Sequence, residues 1–505
     1  MGSTQQGVFR VIATGVALGF MLTASASAAP INSAPPAPSL PSFSGQTSSP
    51  MPVSGTVRPP RNPFLAPGSW SNIHNDTWMS DAYPGPGPIG LNLQATSGSA
   101  QLGVCATIAF DSRGRIVTVC PSTLRPPQAR IVDPETLEVI ATLDLPDGTA
   151  LGDTQAYQDY TAGGYFFLDN RDRIWVATKT NHILVLAQNE AGDAFRLERD
   201  FDLSAVMSPS RERMSSVLPD FAGRIWFVSK QAGRVGTIDR RTGKVRTIRL
   251  GERVQNSFTV GRTGVFLASD RKMYRLATTR NGTPKIKWSV RYRNSGVVKP
   301  GQADAGTGTT PTLMKGGFVA ITDNADPMNV VVYRTAVDLR RGQKRKVCEV
   351  PVFDRGASAT ENSLIGAGRS LIVENNYGYT DPFALGGGSV ITAAGFARVD
   401  IRADGRGCRK VWTNRIERAP SVVPKLSTAT GLIYTYTRPP DPSGSQGYYW
   451  TAINFNTGET AWSRYAGSGL LFNNNYAGLA LGPDGSAYLG VIGGLIKLSD
   501  TTQPD

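Results

Sequence analysis

A turn followed by a short β-branched or aromatic strand recurs eight times along this chain, and that repeat restricts the fold more than any other feature. The copies read DSRGRIVTV (111–119), DNRDRIWVA (169–177), DFAGRIWFV (220–228), GRTGVFLA (261–268), KGGFVAI (315–321), GAGRSLIV (366–373), TGLIYTY (430–436) and PDGSAYLG (483–490). Anchored at residues 114, 172, 223, 264, 317, 368, 431 and 485, they step by about 53 residues, a length that suits one four-stranded blade of a radially repeated sheet. Second hairpins follow, as in GTIDRRTGKV (236–245) and AINFNTGETAW (452–462), where a Thr-Gly turn joins two half-buried strands. Long amphipathic helical windows are nearly absent. The sequence therefore predicts an all-β fold, a β-propeller of four-stranded blades. Eight blades are expected, or seven should the 41-residue step between 223 and 264 be a miscount. Radial repetition also protects strand edges that an open sheet would leave bare.

The ends of the chain read differently. Arg10 precedes an apolar run from Val11 to Leu22, followed by small residues through Ala29. This is the pattern of a signal peptide over 1–28, cleaved near Ala28, and the run falls short of the roughly 20 residues needed to span hydrocarbon. No later run has spanning length, so a secreted, periplasmic or cell-envelope location is expected, with no transmembrane segment in the mature chain. Residues 29–68 are rich in Pro, Ser and Ala and predict a disordered linker. The propeller is expected over 69–500 and a short tail over 501–505.

Export makes the four cysteines legible. Cys105 and Cys120 lie symmetrically about the turn at 111–114 and would face each other across a hairpin. Cys348 and Cys408 occupy similar places in successive repeats and would bridge neighbours, although four cysteines permit three connectivities.

Composition excludes several chemistries. Two histidines and no Cys-x-x-Cys in 505 residues argue against a multi-histidine zinc site, thioredoxin-like redox chemistry or attached haem. No Gly-x-Ser-x-Gly, His-Glu-x-x-His or Walker-type loop occurs, which leaves serine-hydrolase and zincin readings without support. The net charge of +14, or +13 once Arg10 is removed, gathers in hairpin turns at 240–246 and 340–346. In an exported protein, which is expected to be a monomer, such charge suits an anionic envelope surface and not nucleic acid.

The segment YWTAINFNTGETAWSRY (449–465) resembles the repeat of quinoprotein-dehydrogenase-like (PQQ-repeat) propellers, and Trp288 and Trp412 are similar to its docking tryptophan. The early Asp-x-x-Gly-Arg-Ile-Trp copies resemble lactonase and strictosidine-synthase-like propellers equally. The first resemblance would imply bound quinone, but the adjacent-cysteine pair of the soluble quinoprotein alcohol dehydrogenases is missing, so PQQ is not expected. The second implies calcium on the propeller axis, held by Glu, Asn and Asp from several blades.

Two polar clusters stand out. Residues 71–81 combine His74, Asn75, Asp76, Trp78 and Asp81 just before the first blade. There His74 or Asp76 would supply a general base, while Asn75 and Trp78, with Asn256 and Asp323 at later inner-strand ends, would contact ligand. The second runs from Thr360 to Ser363 and on through Glu374. From it Glu361 and Asn362, joined by Asn474, are the candidate calcium ligands. The leading expectation is an exported propeller that binds a small molecule or envelope partner at its channel mouth without a redox cofactor. The alternatives are a calcium-dependent hydrolase or lactonase-like enzyme and, third, a quinone-dependent oxidoreductase.

Overall fold

A computed structural model describes residues 29–99, 103–122, 124–149, 151, 159, 161–382 and 392–501; the predicted signal peptide lies outside the described residues. The chain forms eight sheets, each built on four antiparallel strands, arranged as an eight-bladed β-propeller; blade 7 also pairs Ala82–Tyr83 in parallel with its inner strand. Blades 1 to 7 occupy residues 107–144, 167–202, 214–249, 259–291, 312–351, 365–414 and 425–468, each built from four consecutive strands. The short step between anchors 223 and 264 is a compact blade: Thr259–Gly261, Gly264–Ala268, Lys272–Thr278 and Pro284–Arg291 form a complete sheet. Blade 8 is composite. Its strands Ala480–Leu481, Ala487–Val491 and Gly494–Ser499 take their fourth partner, Gln94–Ser99, from ahead of blade 1, with Gln94 opposite Ser499 and Ser99 opposite Gly494. This pairing closes the ring and leaves no open seam.

Burial runs from axis to rim. In blade 1 the inner strand Thr107–Phe110 is wholly buried, whereas most of the outer strand Val139–Asp144 is not. The repeated turn between the two inner strands explains the motif. Gly114, Gly223, Gly317, Gly368, Gly431 and Gly485 all have φ between 61° and 81°, the left-handed region that glycine enters freely. Asp172 takes the same role at φ 57°, a conformation that aspartate tolerates better than most residues. The preceding aspartate ties the turn: Asp169 Oδ1 accepts from the N–H groups of Arg171 and Arg173, and its Oδ2 accepts from the Trp175 indole at 2.9 Å. Asp220 and Trp226 repeat this at 3.0 Å.

Both disulfides form as expected, Cys105 to Cys120 within blade 1 and Cys348 to Cys408 between the outer strands of blades 5 and 6. Trp288 and Trp412 sit on the rim and reach the next blade, donating to Thr335 O and Phe455 O respectively.

Residues 29–68 differ from the expected disordered linker. Phe43–Gly45 adds a strand to the outer edge of blade 7, with Phe43 opposite Arg464. Met51 and Val53 donate to Thr430 O and Thr428 O, and Asn62 holds Pro219 O at 2.9 Å. Phe64 lies under the Arg240 guanidinium, 4.2 Å from ring centroid to cation. Proline-rich chain is already extended, so laying it along a sheet edge costs less entropy than composition alone suggests.

Candidate functional site in the central channel

Beyond the leader, residues 66–83 cross one end of the ring and plug it. Backbone carbonyls of Trp70, Ser71, Trp78, Ser80, Asp81 and Tyr83 accept from Phe110, Leu168, Leu313, Gly366, Leu426 and Thr428, all on inner strands or directly beside them. The plug is thus hydrogen-bonded to blades 1, 2, 5, 6 and 7. Asn75, Met79 and Asp81 adopt φ of 60°, 52° and 52°, a concentration of left-handed non-glycine residues that stores backbone strain.

Above the plug lies a cavity of about 60 Å³. It is axial, because Ala106, Tyr165, Ser215, Asn256, Ala303, Glu361, Val423 and Tyr476 bring one lining residue from each blade or the segment before it, while Ile73 and His74 form its floor. His74 is the residue on which the polar network turns. Its Nδ1 lies 3.0 and 3.1 Å from the two carboxylate oxygens of Asp81, and its Nε2 lies 3.3 Å from Ser363 Oγ. Asp81 is also ion-paired with Lys425, whose ammonium donates to Ile73 O as well. The side chains of Asp81 and Lys425 have no exposed surface, and burial pulls the lysine pKa down.

The predicted residues divide. His74, Asn256, Glu361 and Asn362 meet at the cavity. Asn256 Oδ1 accepts from the Tyr165 hydroxyl at 2.8 Å. Glu361 Oε2 accepts from Ala303 N–H at 3.1 Å while Oε1 has no hydrogen-bond partner, and burial pushes its pKa up to about 8. Burial also lowers the pKa of Lys230, another lining residue. Asp76, Asn75, Trp78, Asp323 and Asn474 are absent from this lining. Asp76 accepts from the N–H groups of Trp78 and Ser80 and from the Ser80 hydroxyl, turns toward a separate cavity of about 460 Å³ beneath the plug, and is raised by burial to about 7. Trp78 borders that second cavity too, and Asn75 donates to Ala82 O within the plug. Asp323 caps its own turn through Asn329 and Ala325. Asn474 is engaged with Ser421 and Ala477.

Of the three candidate calcium ligands, Glu361 and Asn362 line the axial cavity and Asn474 does not; the amide nitrogen of Asn362 donates to Glu374 and to Val422 O. Among the described residues no group of three or more His, Cys, Asp or Glu is placed to hold a metal ion.

Sequence reading missed Lys425 and Ser363 as members of the site. Lys425 carried a signal: it follows the apolar run Val422–Pro424 and opens the inner strand Lys425–Ser427, where an unpaired lysine would be untenable. Ser363 stood inside the second cluster, but nothing local points it at a histidine 289 positions away.

Glu374 gives the site a pH signature. It is buried; its Oε1 accepts from Asn362 and Asn376, Oε2 has no partner, and burial lifts its pKa from 4.5 to about 8. A carboxyl raised in the folded state keeps a proton that the unfolded chain releases. Its contribution is therefore complete below about pH 4.5 and is lost as pH climbs toward 8. Glu361 and Asp323, the latter raised to about 6, act in the same direction. Melting temperature is expected to fall from pH 5 to pH 8, and Glu374→Gln, neutral throughout, should flatten that slope and gain about 2 kcal/mol at pH 8. An unchanged slope in thermal melts of the variant would show that Glu374 is ionised in the fold.

No family model matches the chain. An uncharacterised protein of Archaeoglobus fulgidus is 25% identical over 396 residues, covering 71% of this chain and 75% of that protein. Among solved structures, virginiamycin B lyase of Staphylococcus aureus with quinupristin matches at TM-score 0.42 and 10% identity, over 81% of this chain and 98% of that one. A 6-phosphogluconolactonase-like protein of Bacteroides fragilis matches at TM-score 0.41 and 10% identity, over 70% and 96%. The WD40 domain of SCAP from fission yeast matches at TM-score 0.45 and 10% identity, over 82% and 99%. At such identities the likeness concerns the propeller fold and carries no activity across.

Proposed function

We propose that this chain is an exported propeller that binds a small polar molecule in its plugged axial channel. The observation that carries the reading is the convergence of Lys230, Glu361, Asn256, Tyr165, His74 and Ser363 on one axial cavity, the arrangement of a few polar groups in a concave site that fixes a ligand's orientation. The cavity holds a handful of water molecules, so the ligand, or the part of it that enters, has only a few heavy atoms. The quinoprotein-like segment 449–465 acts here in blade packing through the buried Trp462. Two disulfides agree with export, and no helix among the described residues is long and apolar enough to cross a membrane. The basic turns are partly committed to packing, Arg240 on Phe64 and Arg345 on Trp288 at 4.7 Å, which favours the channel over an anionic surface as the binding element.

The test is a thermal-shift panel of small hydroxy acids, lactones, esters and polyols on the chain beginning at residue 29. A ligand at a hundredfold excess over its Kd stabilises by about 2.7 kcal/mol, or roughly 3–5 °C in a protein of this size. Lys230→Met and Glu361→Gln should each abolish the shift. Compounds that shift wild type and both variants alike bind elsewhere and refute the channel reading.

A further inference from the structure

We propose that Ser363, His74 and Asp81 form a nucleophilic relay that cleaves small carboxylic esters or lactones in the channel, an inference that rests on the channel's being a ligand site. The assignment follows from where the protons must be. Asp81 can only accept, so the imidazole carries a proton on Nδ1 and donates it across 3.0 Å. Ser363 Oγ already accepts from the Thr310 N–H at 3.0 Å, which leaves its own hydroxyl proton for His74 Nε2 at 3.3 Å. Hydroxyl, imidazole and carboxylate are therefore in series with the polarity that activates a serine, and such a constellation is recognised by geometry and role, not by sequence order. His74 and Ser363 both line the axial cavity, so the nucleophile meets whatever enters it. Asp81 and Lys425 lie behind the imidazole and position it.

Esters and lactones are the acyl donors that ask least of such a relay, because an alkoxide leaves more readily than an amide nitrogen. In the step, Ser363 Oγ bonds the carbonyl carbon and its proton passes to His74 Nε2 while the carbonyl oxygen becomes an oxyanion. Collapse breaks the acyl–oxygen bond, and the leaving oxygen takes the proton from Nε2. Water then attacks the acyl-serine, again losing its proton to Nε2, and releases the acid and free Ser363. Lys230 and Asn256, whose amide nitrogen reaches Thr307 O only at 3.5 Å, are lining donors from which the oxyanion draws stabilisation.

A small alkyl fluorophosphonate tests the relay directly: Oγ bonds phosphorus, fluoride leaves, and the proton goes to His74. Peptide mass mapping of the wild-type chain should place one adduct on Ser363. Ser363→Ala and His74→Gln should each lose the adduct, and hydrolysis of p-nitrophenyl acetate should drop about 1,000-fold in both. If wild type gains no adduct at Ser363, or gains it as fast in His74→Gln, the relay is wrong. Should ligand-induced shifts survive that result, the binding reading stands and only the relay falls; loss of both refutes the channel as a site.

Discussion

Lys425→Met is expected to destabilise the fold by about 3–5 kcal/mol, as is typical when one partner of a fully buried ion pair is removed and the other is left. Neither Lys425 nor Asp81 has exposed side-chain surface, so water cannot replace the ammonium. The lysine also satisfies Ile73 O, in the same turn that presents His74. The damage should therefore concentrate in the plug: protease cleavage within residues 66–83 should accelerate in the variant before the ring itself unfolds. The pair can be separated from general packing by a double-mutant cycle with Asp81→Asn, in which the combined variant recovers part of the loss because no uncompensated carboxylate remains. Urea titration monitored by tryptophan fluorescence reads all four chains. A loss below about 1 kcal/mol in Lys425→Met would mean that Asp81 finds its countercharge elsewhere, and the ion pair would then not be what seats the plug.

That dependence on a distant lysine explains what the sequence could and could not reveal. The blades were legible because each is specified locally. An Asp two and four residues before the N–H groups it accepts, a left-handed Gly or Asp, and an Ile-Trp strand are all written within nine positions, as at 169–177 and 220–228. The cysteine pairs were legible for a related reason, since a hairpin brings residues at equal distances from its turn together and successive repeats bring equivalent outer strands together. The plug was not. Its hydrogen bonds span up to 411 positions, from Trp70 to Leu481, and no periodicity encodes which of eight equivalent strand ends a non-repeating segment will meet. His74 could be singled out as chemistry-bearing because it is one of only two histidines, but nothing in the cluster showed that the carboxylate beside it is Asp81. Residues 72–81 form a chain of tight turns in which Asn72, Asp76 and Ser80 bond to backbone within two to four positions, and such turns set side-chain direction independently of strand alternation. Order in the leader was hidden for a different reason. Composition reports whether a segment can build its own core, not whether the edge of blade 7 stands ready to receive it.

The second large effect concerns the cross-link between blades 5 and 6. Cys348 lies on the outer strand Lys346–Pro351 and Cys408 on Cys408–Asn414, 60 positions apart, and chain-entropy arithmetic for a loop of that length gives about 4 kcal/mol. The Cys105–Cys120 loop, with a separation of 15, gives about 3 kcal/mol. The two loops do not overlap in sequence, so the contributions should nearly add, and their sum rivals the roughly 5–15 kcal/mol that separates a typical folded protein from its unfolded chain. Cys348→Ser with Cys408→Ser is accordingly expected to lower the urea midpoint more than the equivalent pair at 105 and 120. Reductant should bring wild type down to the level of the quadruple variant and leave that variant unmoved. An undiminished midpoint under full reduction would show that the rim of the ring is held without its cross-links. The expected result has a bearing on compartment: a chain that needs both bonds for most of its net stability would be poorly folded where thiols stay reduced, and so would be selected to work outside the cytosol.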